Sequence, residues 1–205
     1  MLFEYLKEHY DDGEPIFLDD IHIEGMRRDN FRQQIKTLAD AGKIVRYEKG
    51  IYYIPKKTVL GYSSLSFESI IERKYISEDK KVFGYYSGNS LLNMIGLSTQ
   101  VPNIPEITTN NEATRKRKVK IGKRYVIVRR SDIEINNDNV LYLQFLDIFR
   151  YADINQIKEN KDKVASFFNE NRLKFKKLIE YEKLVPMKLR KALRRSEIFD
   201  ELAYR

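Results

Sequence analysis

The chain of 205 residues contains 38 lysines and arginines against 30 aspartates and glutamates, a formal charge of +8 with an isoelectric point near 9.4. It has no cysteine and only two histidines, which excludes disulfides and thiolate metal sites and leaves little for a zinc or acid–base centre. With no apolar run of about 18 residues, no signal-like start and no lipidation motif, we expect a soluble cytoplasmic protein drawn to nucleic acid rather than to a membrane.

The N-terminal segment is predicted to form two short helices. The first carries the apolar residues Leu2, Phe3 and Leu6. The second is expected between Phe17 and Ile23, because Asp19 or Asp20 can cap the N-terminus of a helix there.

A basic amphipathic helix is predicted next, within the segment Arg27 to Pro55. Phe31, Ile35 and Leu38 recur at spacings of four and three residues and share one face of the helix. The opposite face carries polar side chains, with one more cation on its flank: Asp29, Arg32, Gln33, Lys36 and Arg28. Gly42 supplies the left-handed position that ends the helix before a sharp turn into a strand.

A tight β-hairpin follows this helix. Its strands are rich in β-branched and aromatic residues, namely Ile44, Val45, Tyr47, Ile51, Tyr52, Tyr53 and Ile54. Glu48, Lys49 and Gly50 form a charged tip, and Pro55 closes the second strand because it has no N–H to donate. The order of basic helix, glycine stop and lysine-tipped hairpin predicts a winged helix-turn-helix DNA-binding domain over residues 1–57. The alternative is a small helical domain whose basic face only contacts water.

The composition changes after Lys56 and Lys57, which predicts a second domain over residues 61–205 and an α+β fold for the whole chain. The expected elements are a helix at 67–71, a strand at 82–86, a helix at 90–95 stopped by Gly96, and a strand at 107–109. The N-terminal winged helix-turn-helix is therefore followed by a mixed α/β domain, which ends in helices.

A run of cations, Arg115 to Lys120, precedes the β-prone stretch Tyr125 to Val128, and the two are expected to form a basic hairpin. The cations suit a second phosphate contact or a patch for an acidic partner. They equally suit a charged edge strand, because lysines at a sheet edge discourage aggregation.

The last third of the chain is predicted to be helical. An apolar segment around Phe145 is expected to be domain core rather than a cofactor site. The charged helical region that follows this segment is broken at Pro186. A last amphipathic helix after the proline carries five cations: Lys188, Arg190, Lys191, Arg194 and Arg195. This helix is expected to grip DNA, to dock a partner, or to cap the domain with its charges in water.

The sequence contains no Walker-type glycine loop, no histidine spacing for a metal, no nucleophile elbow and no convincing pair of carboxylates. We therefore expect a protein that is not an enzyme, with no catalytic residue, no metal ligand and no cofactor.

Two stretches carry a family resemblance. FRQQIKTLADAGKIVRYEKGIYYIP and GYYSGNSLLNMIGLSTQVPNIPEITTN, from Gly84 to Asn110, resemble the AbiEi antitoxins of bacterial type IV toxin–antitoxin systems, over roughly the first 130 residues. The resemblance implies a winged helix-turn-helix joined to a C-terminal antitoxin domain, repression of its own operon through promoter inverted repeats, and opposition to a nucleotidyltransferase-type toxin in phage defence. Whether the toxin is contacted directly stays open, and a monomer or weak dimer on DNA is expected.

The resemblance also implies which residues contact DNA. On the helix and wing these are Arg27, Arg28, Arg32, Gln33, Lys36, Arg46 and Lys49, and on the second domain they are Arg115, Lys116, Arg117 and Lys118. Cations would neutralise phosphates, while Arg32 and Gln33 would read base edges in the major groove. The alternatives are a winged-helix regulator or protein-interaction module unrelated to a toxin and, third, a nuclease acting on bound DNA.

Overall fold

The computed structural model describes residues 2–59 and 61–203, and it confirms a mixed α+β fold. The chain divides into two compact units. The first unit is the chain up to Arg73 together with Ile121–Arg124, and the second is Lys74–Lys120 with everything from Tyr125 onward. This division falls later in the chain than the domain boundary at residues 57–61, which stays a prediction from the sequence.

Among the described residues, the first unit contains two helices, most of a third, and a small antiparallel sheet. In chain order its elements are α1 (Leu2–His9), β1 (Ile16–Phe17), α2 (Arg28–Asp40), β2 (Val45–Glu48), β3 (Ile51–Tyr53), β4 (Lys57–Thr58), β5 (Gly61–Tyr62) and the start of α3 (Phe67–Tyr75). Strand β3 lies between β1 and β2 and is antiparallel to both. β4 and β5 form a separate two-stranded ribbon.

The predicted apolar stripe of α2 packs into the core of this unit. Ile35 is buried there with residues of α1 and β1, and Phe31 and Leu38 pack against the same cluster. The helix ends as expected at Gly42, whose φ is +68°. The N–H of Lys43 donates to the carbonyl of Leu38 at 3.0 Å, which satisfies a carbonyl that the helix end would otherwise leave unpaired.

The second helix predicted between Phe17 and Ile23 is wrong. Ile16 and Phe17 form β1, and residues 18–27 follow as turns and extended chain with no helix. The burial pattern explains the difference, because Ile16, Phe17 and Ile21 are all buried in the core of the unit. Pairing of the first two with β3 outweighs a weak local helix signal that rests on one aspartate cap.

The second unit joins a four-stranded sheet to a group of helices. Its strands and first helix are β6 (Ser77–Glu78), β7 (Lys81–Val82), β8 (Gly84–Ser87), α4 (Gly88–Met94), β9 (Glu106–Thr109), β10 (Lys116–Ile121) and β11 (Arg124–Arg130). The order in the large sheet is β10, β11, β9, β8, with β9 parallel to β11 and antiparallel to β8. Strand β10, which carries the predicted basic run, is therefore an edge strand.

The helices that follow are α5 (Val140–Tyr151), α6 (Ile154–Glu159), α7 (Lys161–Glu170), α8 (Phe175–Glu182), α9 (Met187–Arg195) and α10 (Ile198–Ala203). Helix α5 provides the centre of their core, as its apolar sequence predicts, with Phe145 and Ile148 fully buried. Phe145 contacts the rings of Phe149 and Phe168 edge to face. None of the helices within residues 2–59 and 61–203 has the length and apolarity needed to cross a membrane.

Candidate nucleic-acid interface

Helix α2 presents its polar face to solvent. Arg28, Arg32, Gln33 and Lys36 are all exposed, with Gln33 opposite the buried Ile35, Arg32 and Lys36 on the side between them, and Arg28 at the flank of the apolar stripe. Arg28, Arg32 and Lys36 follow each other at intervals of four residues, so their side chains form one row along the helix. This arrangement follows from the apolar stripe, because burying Phe31, Ile35 and Leu38 forces the intervening cations outward.

The start of α2 adds to the positive charge. Arg27 is exposed at the N-cap position, and its side chain makes no capping hydrogen bond. The free N–H groups of a helix N-terminus attract anions, although Asp29 in the first turn opposes this effect locally.

The hairpin of β2 and β3 exposes Lys49 at its turn, and hydrogen bonds fix the base of the hairpin. Gly50 has a φ of +84°, and Lys49 is exposed beside it at the turn. Arg46 donates through Nε to the carbonyl of Glu48 at 3.3 Å, across a bulge in the pairing. The Glu48 carboxylate in turn accepts the N–H of Gly122 at 2.8 Å, so the base of the hairpin is tied to another segment of the same unit.

A groove of about 960 Å³ runs between α2, the segment 18–26 and the hairpin. Four of the predicted DNA-contacting residues line it: Arg28, Arg32, Arg46 and Lys49. Arg27, Gln33 and Lys36 are exposed but do not line this groove. His22 also lies in its wall; no pattern in the sequence links residue 22 to the helix or to the hairpin.

The groove is not uniformly basic. Asp19 and Glu24 line it beside apolar side chains that include Ile21, Met26 and Phe31. Acidic and apolar walls are poor contacts for phosphate but suit a peptide segment, so the groove floor and the exposed row of α2 offer different chemistry.

The second predicted cluster, Arg115 to Lys118, lies in the other unit at the start of the edge strand. Arg117 donates through Nε to the Glu112 carboxylate at 2.7 Å, and the Glu112 side chain is only 2% exposed. Burial opposes the charged form of Glu112, but hydrogen bonds from Thr114 and Arg117 outweigh it and hold the pKa of this carboxyl below its ordinary value. Arg117 thus has an internal partner.

The neighbours of Arg117 are also engaged within the unit, but more loosely. The Nζ of Lys116 lies 3.8 Å from the Glu106 carboxylate, and that of Lys118 lies 4.2 Å from the ring centre of Tyr125. Both lysines remain exposed. The position of β10 at the edge of the sheet agrees with the charged-edge interpretation, since lysines there discourage pairing with another sheet.

Arg115 belongs instead to a cavity of about 250 Å³ that the sequence did not predict. The same cavity is lined by Arg129, Arg130 and Arg150, which come from the end of β11 and the last turn of α5. One signal was available in the sequence, a single aspartate, Asp147, inside the apolar run of α5. Charged residues are rarely buried without a specific partner.

Asp147 is held by two partners at the back of this cavity. Its carboxylate accepts the hydroxyl of Tyr85 at 3.0 Å and the Nε of Arg150 at 2.8 Å. Burial raises the pKa of Asp147 to about 6, although Arg150 and Tyr85 both favour the charged form. Burial also raises the pKa of the Tyr85 hydroxyl well above its ordinary value.

Two of the five cations of the C-terminal basic helix α9 bind other groups of the protein, and three face solvent. Leu189 and Leu193 are buried, and Arg190 donates to the carbonyls of Lys183 and Val185. Arg194 is paired with Glu182. The exposed cations Lys188, Lys191 and Arg195 are the ones left for a partner or for water.

The part of the chain that the structure describes contains no group of three or more histidine, aspartate or glutamate side chains arranged to hold a metal ion. Residues 3–165 match the family of unknown function DUF6088. The match covers well over half of the chain, which therefore belongs to this family. None of the curated proteins matches it.

Proposed function

We propose that this DUF6088 protein is a DNA-binding antitoxin of type IV, which represses its own operon at promoter inverted repeats and counters a nucleotidyltransferase-type toxin. The observation that carries the DNA-binding part is the exposed row of Arg28, Arg32 and Lys36 on α2, flanked by Lys49 of the hairpin. Long, exposed donors on a rigid helix suit both phosphates and base edges.

The order of elements supports a winged helix. A winged helix has the order helix, strand, helix, helix, strand, strand, with the first strand paired to the last, and β1, β3 and β2 pair in that way. The turns at residues 18–27 take the place of the usual second helix. In this arrangement α2 would enter the major groove and the hairpin would follow the adjacent backbone.

The toxin–antitoxin part is supported by the resemblance of residues 31–55 and 84–110 to AbiEi antitoxins. It makes the second unit the antitoxin domain, with Arg115, Lys116 and Lys118 as a further basic surface. Arg117 contributes less to that surface, because its guanidinium is committed to the buried Glu112. The partners are double-stranded DNA from its own promoter and the cognate toxin.

A protein-interaction module is the second candidate function. The groove beside α2 favours it, because Asp19, Glu24 and apolar side chains line the groove together with the arginines. A groove of this mixed chemistry suits a peptide with both apolar and basic side chains.

The salt dependence of binding tests the proposal. Affinity for duplex DNA from upstream of the gene should fall steeply with salt, and a protein that neutralises about five phosphates should give a slope near −4.5 in log K against log salt. A scrambled duplex of equal length is the control and should bind more weakly. A slope near zero would favour the interaction module.

The antitoxin part needs a separate experiment. Co-expression with the nucleotidyltransferase-like gene of the same operon should restore the growth of cells that this gene arrests. Failure of rescue alongside specific DNA binding would leave a winged-helix regulator unrelated to a toxin.

A further inference from the structure

The arginine-lined cavity of the second unit lies outside the surfaces used in the proposed function, except for Arg115. Its cationic walls come from three places in the chain: Arg115 ahead of β10, Arg129 and Arg130 at the end of β11, and Arg150 in α5. Tertiary packing therefore brings the four arginines together from three parts of the chain. They are not a run of charges along one strand.

The charge in the cavity is positive. Its lining carries four arginines and two carboxylates, those of Asp132 and Asp147, an excess of two positive charges even with both carboxylates ionised. Glu106 pairs with Arg129 from outside the lining, but its charge is shared with Lys116. Asp147 is already satisfied by Tyr85 and Arg150. The Asp132 carboxylate is 3.9 Å from Nη1 of Arg150 and mostly exposed, so it neutralises little of that charge.

The guanidinium groups have donors to spare. Each arginine carries five N–H donors; the Nε of Arg150 lies 2.8 Å from the Asp147 carboxylate, and its Nη1 lies 3.9 Å from that of Asp132, beyond hydrogen-bond length. Arg129 reaches the Glu106 carboxylate at 3.4 Å, and Arg130 reaches the carbonyl of Ala113 at 3.4 Å, both beyond the usual hydrogen-bond length. Polar groups with weak partners in a partly open, positively charged recess favour an anion with several acceptor oxygens.

We propose that this cavity binds a phosphate group carried by a small molecule. A phosphate dianion offsets the excess of two charges, and its tetrahedral oxygens accept the forked donors of several arginines at once. The volume of about 250 Å³ accommodates a phosphate with a small organic group. Backbone phosphates of duplex DNA carry one charge each and lie on a convex surface, so they fit a concave recess with an excess of two charges less well.

Isothermal titration of the full chain with inorganic phosphate tests this proposal. The informative variant is the double substitution Arg115→Gln and Arg130→Gln, since both side chains are exposed and neither holds a buried carboxylate. The matched control is Arg172→Gln, which removes an exposed arginine of the same unit that does not line the cavity. Circular dichroism and thermal unfolding verify that each variant is folded.

We expect phosphate to bind the wild type at millimolar or lower concentration, the double variant to bind it at least about tenfold more weakly, and Arg172→Gln to bind it unchanged. Glycerol phosphate should bind as phosphate does, and glycerol should not bind. Phosphate binding should persist when the protein is saturated with duplex DNA that lacks terminal phosphates.

Three results would overturn the proposal. The first is absence of phosphate binding to the folded wild type, and the second is weakening by Arg172→Gln that equals, for each charge removed, the weakening in the double variant, which would indicate attraction by net charge alone. The third is displacement of phosphate by the DNA, because the cavity would then serve the nucleic-acid backbone. The first two results are independent of whether operator binding is found.

Discussion

Arg194 forms a two-point ion pair with Glu182, with Nε 2.8 Å from Oε1 and Nη2 2.9 Å from Oε2. The Glu182 side chain is 2% exposed, so the guanidinium covers a carboxylate at the edge of the helical core. Two parallel charge-assisted hydrogen bonds of this kind fix geometry as well as energy. The pair joins α8 to α9 across the break at Pro186 and uses a cation that the sequence alone assigns to an outward basic face.

Removing this cation should destabilise the protein. We expect Arg194→Met to lower the free energy of unfolding by about 1–3 kcal/mol, because the buried Glu182 carboxylate then loses its hydrogen-bond partner while the exposed guanidinium moderates the loss. Arg195→Met removes an exposed arginine from the same helix and should stay within about 0.5 kcal/mol of the wild type. Urea unfolding of both variants provides the measurement, and equal losses would contradict the internal role of Arg194.

The basic edge strand offers a second matched pair. Arg117→Gln should lower the free energy of unfolding by about 1–2 kcal/mol, since the buried Glu112 retains only its hydrogen bonds from Thr114. Lys118→Gln should change it by less than about 0.5 kcal/mol, because that lysine only lies over the exposed ring of Tyr125. Because the chain has no tryptophan, chemical unfolding followed by far-ultraviolet circular dichroism compares the two variants. A larger loss of stability in Lys118→Gln would refute the internal role of Arg117.

Arg32 and Lys49 of the proposed DNA interface should contact different parts of the DNA, so their substitutions should have different effects. Arg32→Ala should reduce discrimination between operator and random duplex by about 1–3 kcal/mol, because a base contact is lost. Lys49→Ala should weaken both duplexes alike and reduce the salt slope by about one, because a phosphate contact is lost. Fluorescence anisotropy measures both, with Lys7→Ala in α1 as an exposed control outside the groove. Equal losses on operator and random DNA for both variants would reject these roles.

The pKa of Asp147 predicts a pH effect on stability. The pKa is 3.8 in an unperturbed carboxyl and about 6 in the fold, so between about pH 4 and pH 6 the folded state holds a proton that the unfolded state has released. Stability from this group is complete below pH 4 and is lost as pH rises, by up to about 1.4 kcal/mol per pH unit. Tyr85 and Arg150, which contact the Asp147 carboxylate, keep their charge state across this range, because the pKa of each is raised above its ordinary value.

Asp147→Asn removes that titration. The unfolding free energy of the variant relative to the wild type should therefore rise between pH 4 and pH 7, while the contributions of other carboxylates cancel in the difference. Urea unfolding at several pH values in this range gives the two curves. Parallel curves would show that Asp147 ionises at its ordinary pKa in the fold.

Substitutions at Gly84 and Gly25 compare the cost of a steric clash with the cost of a left-handed backbone conformation. A Cβ at Gly84 would lie 1.8 Å from the carbonyl oxygen of Tyr75, so Gly84→Ala should cost about 3 kcal/mol or more through forced backbone displacement. A Cβ at Gly25 meets nothing within 4 Å, but its φ is +76°, so Gly25→Ala should cost only about 1–2 kcal/mol. Thermal unfolding ranks the two, and the reverse order would be inconsistent with the close approach at Gly84.

Local periodicity accounts for what was predictable in the fold. The stripe of Phe31, Ile35 and Leu38 predicted both the buried face of α2 and its exposed cations, and the apolar run around Phe145 predicted the core helix α5. The error at residues 17–23 has the opposite origin, since Ile16 and Phe17 pair with β3, a strand more than thirty residues later in the sequence. Pairing over that distance leaves no periodic trace in a two-residue strand.

The sequence by itself determined the net charge, which is a sum over residues. It also determined the amphipathic helix, its glycine stop and the hairpin, because each of these depends on neighbours within about one or two turns of chain. Only the tertiary structure decided which cations are free. Arg117 and Arg194 look like their neighbours in sequence, yet each is bound to a buried carboxylate, and Arg129, Arg130 and Arg150 meet Arg115 in one cavity only after β11 and α5 have packed. The physical reason is that an ion's surroundings depend on long-range packing, whereas the exposure of a helix face depends on its own period.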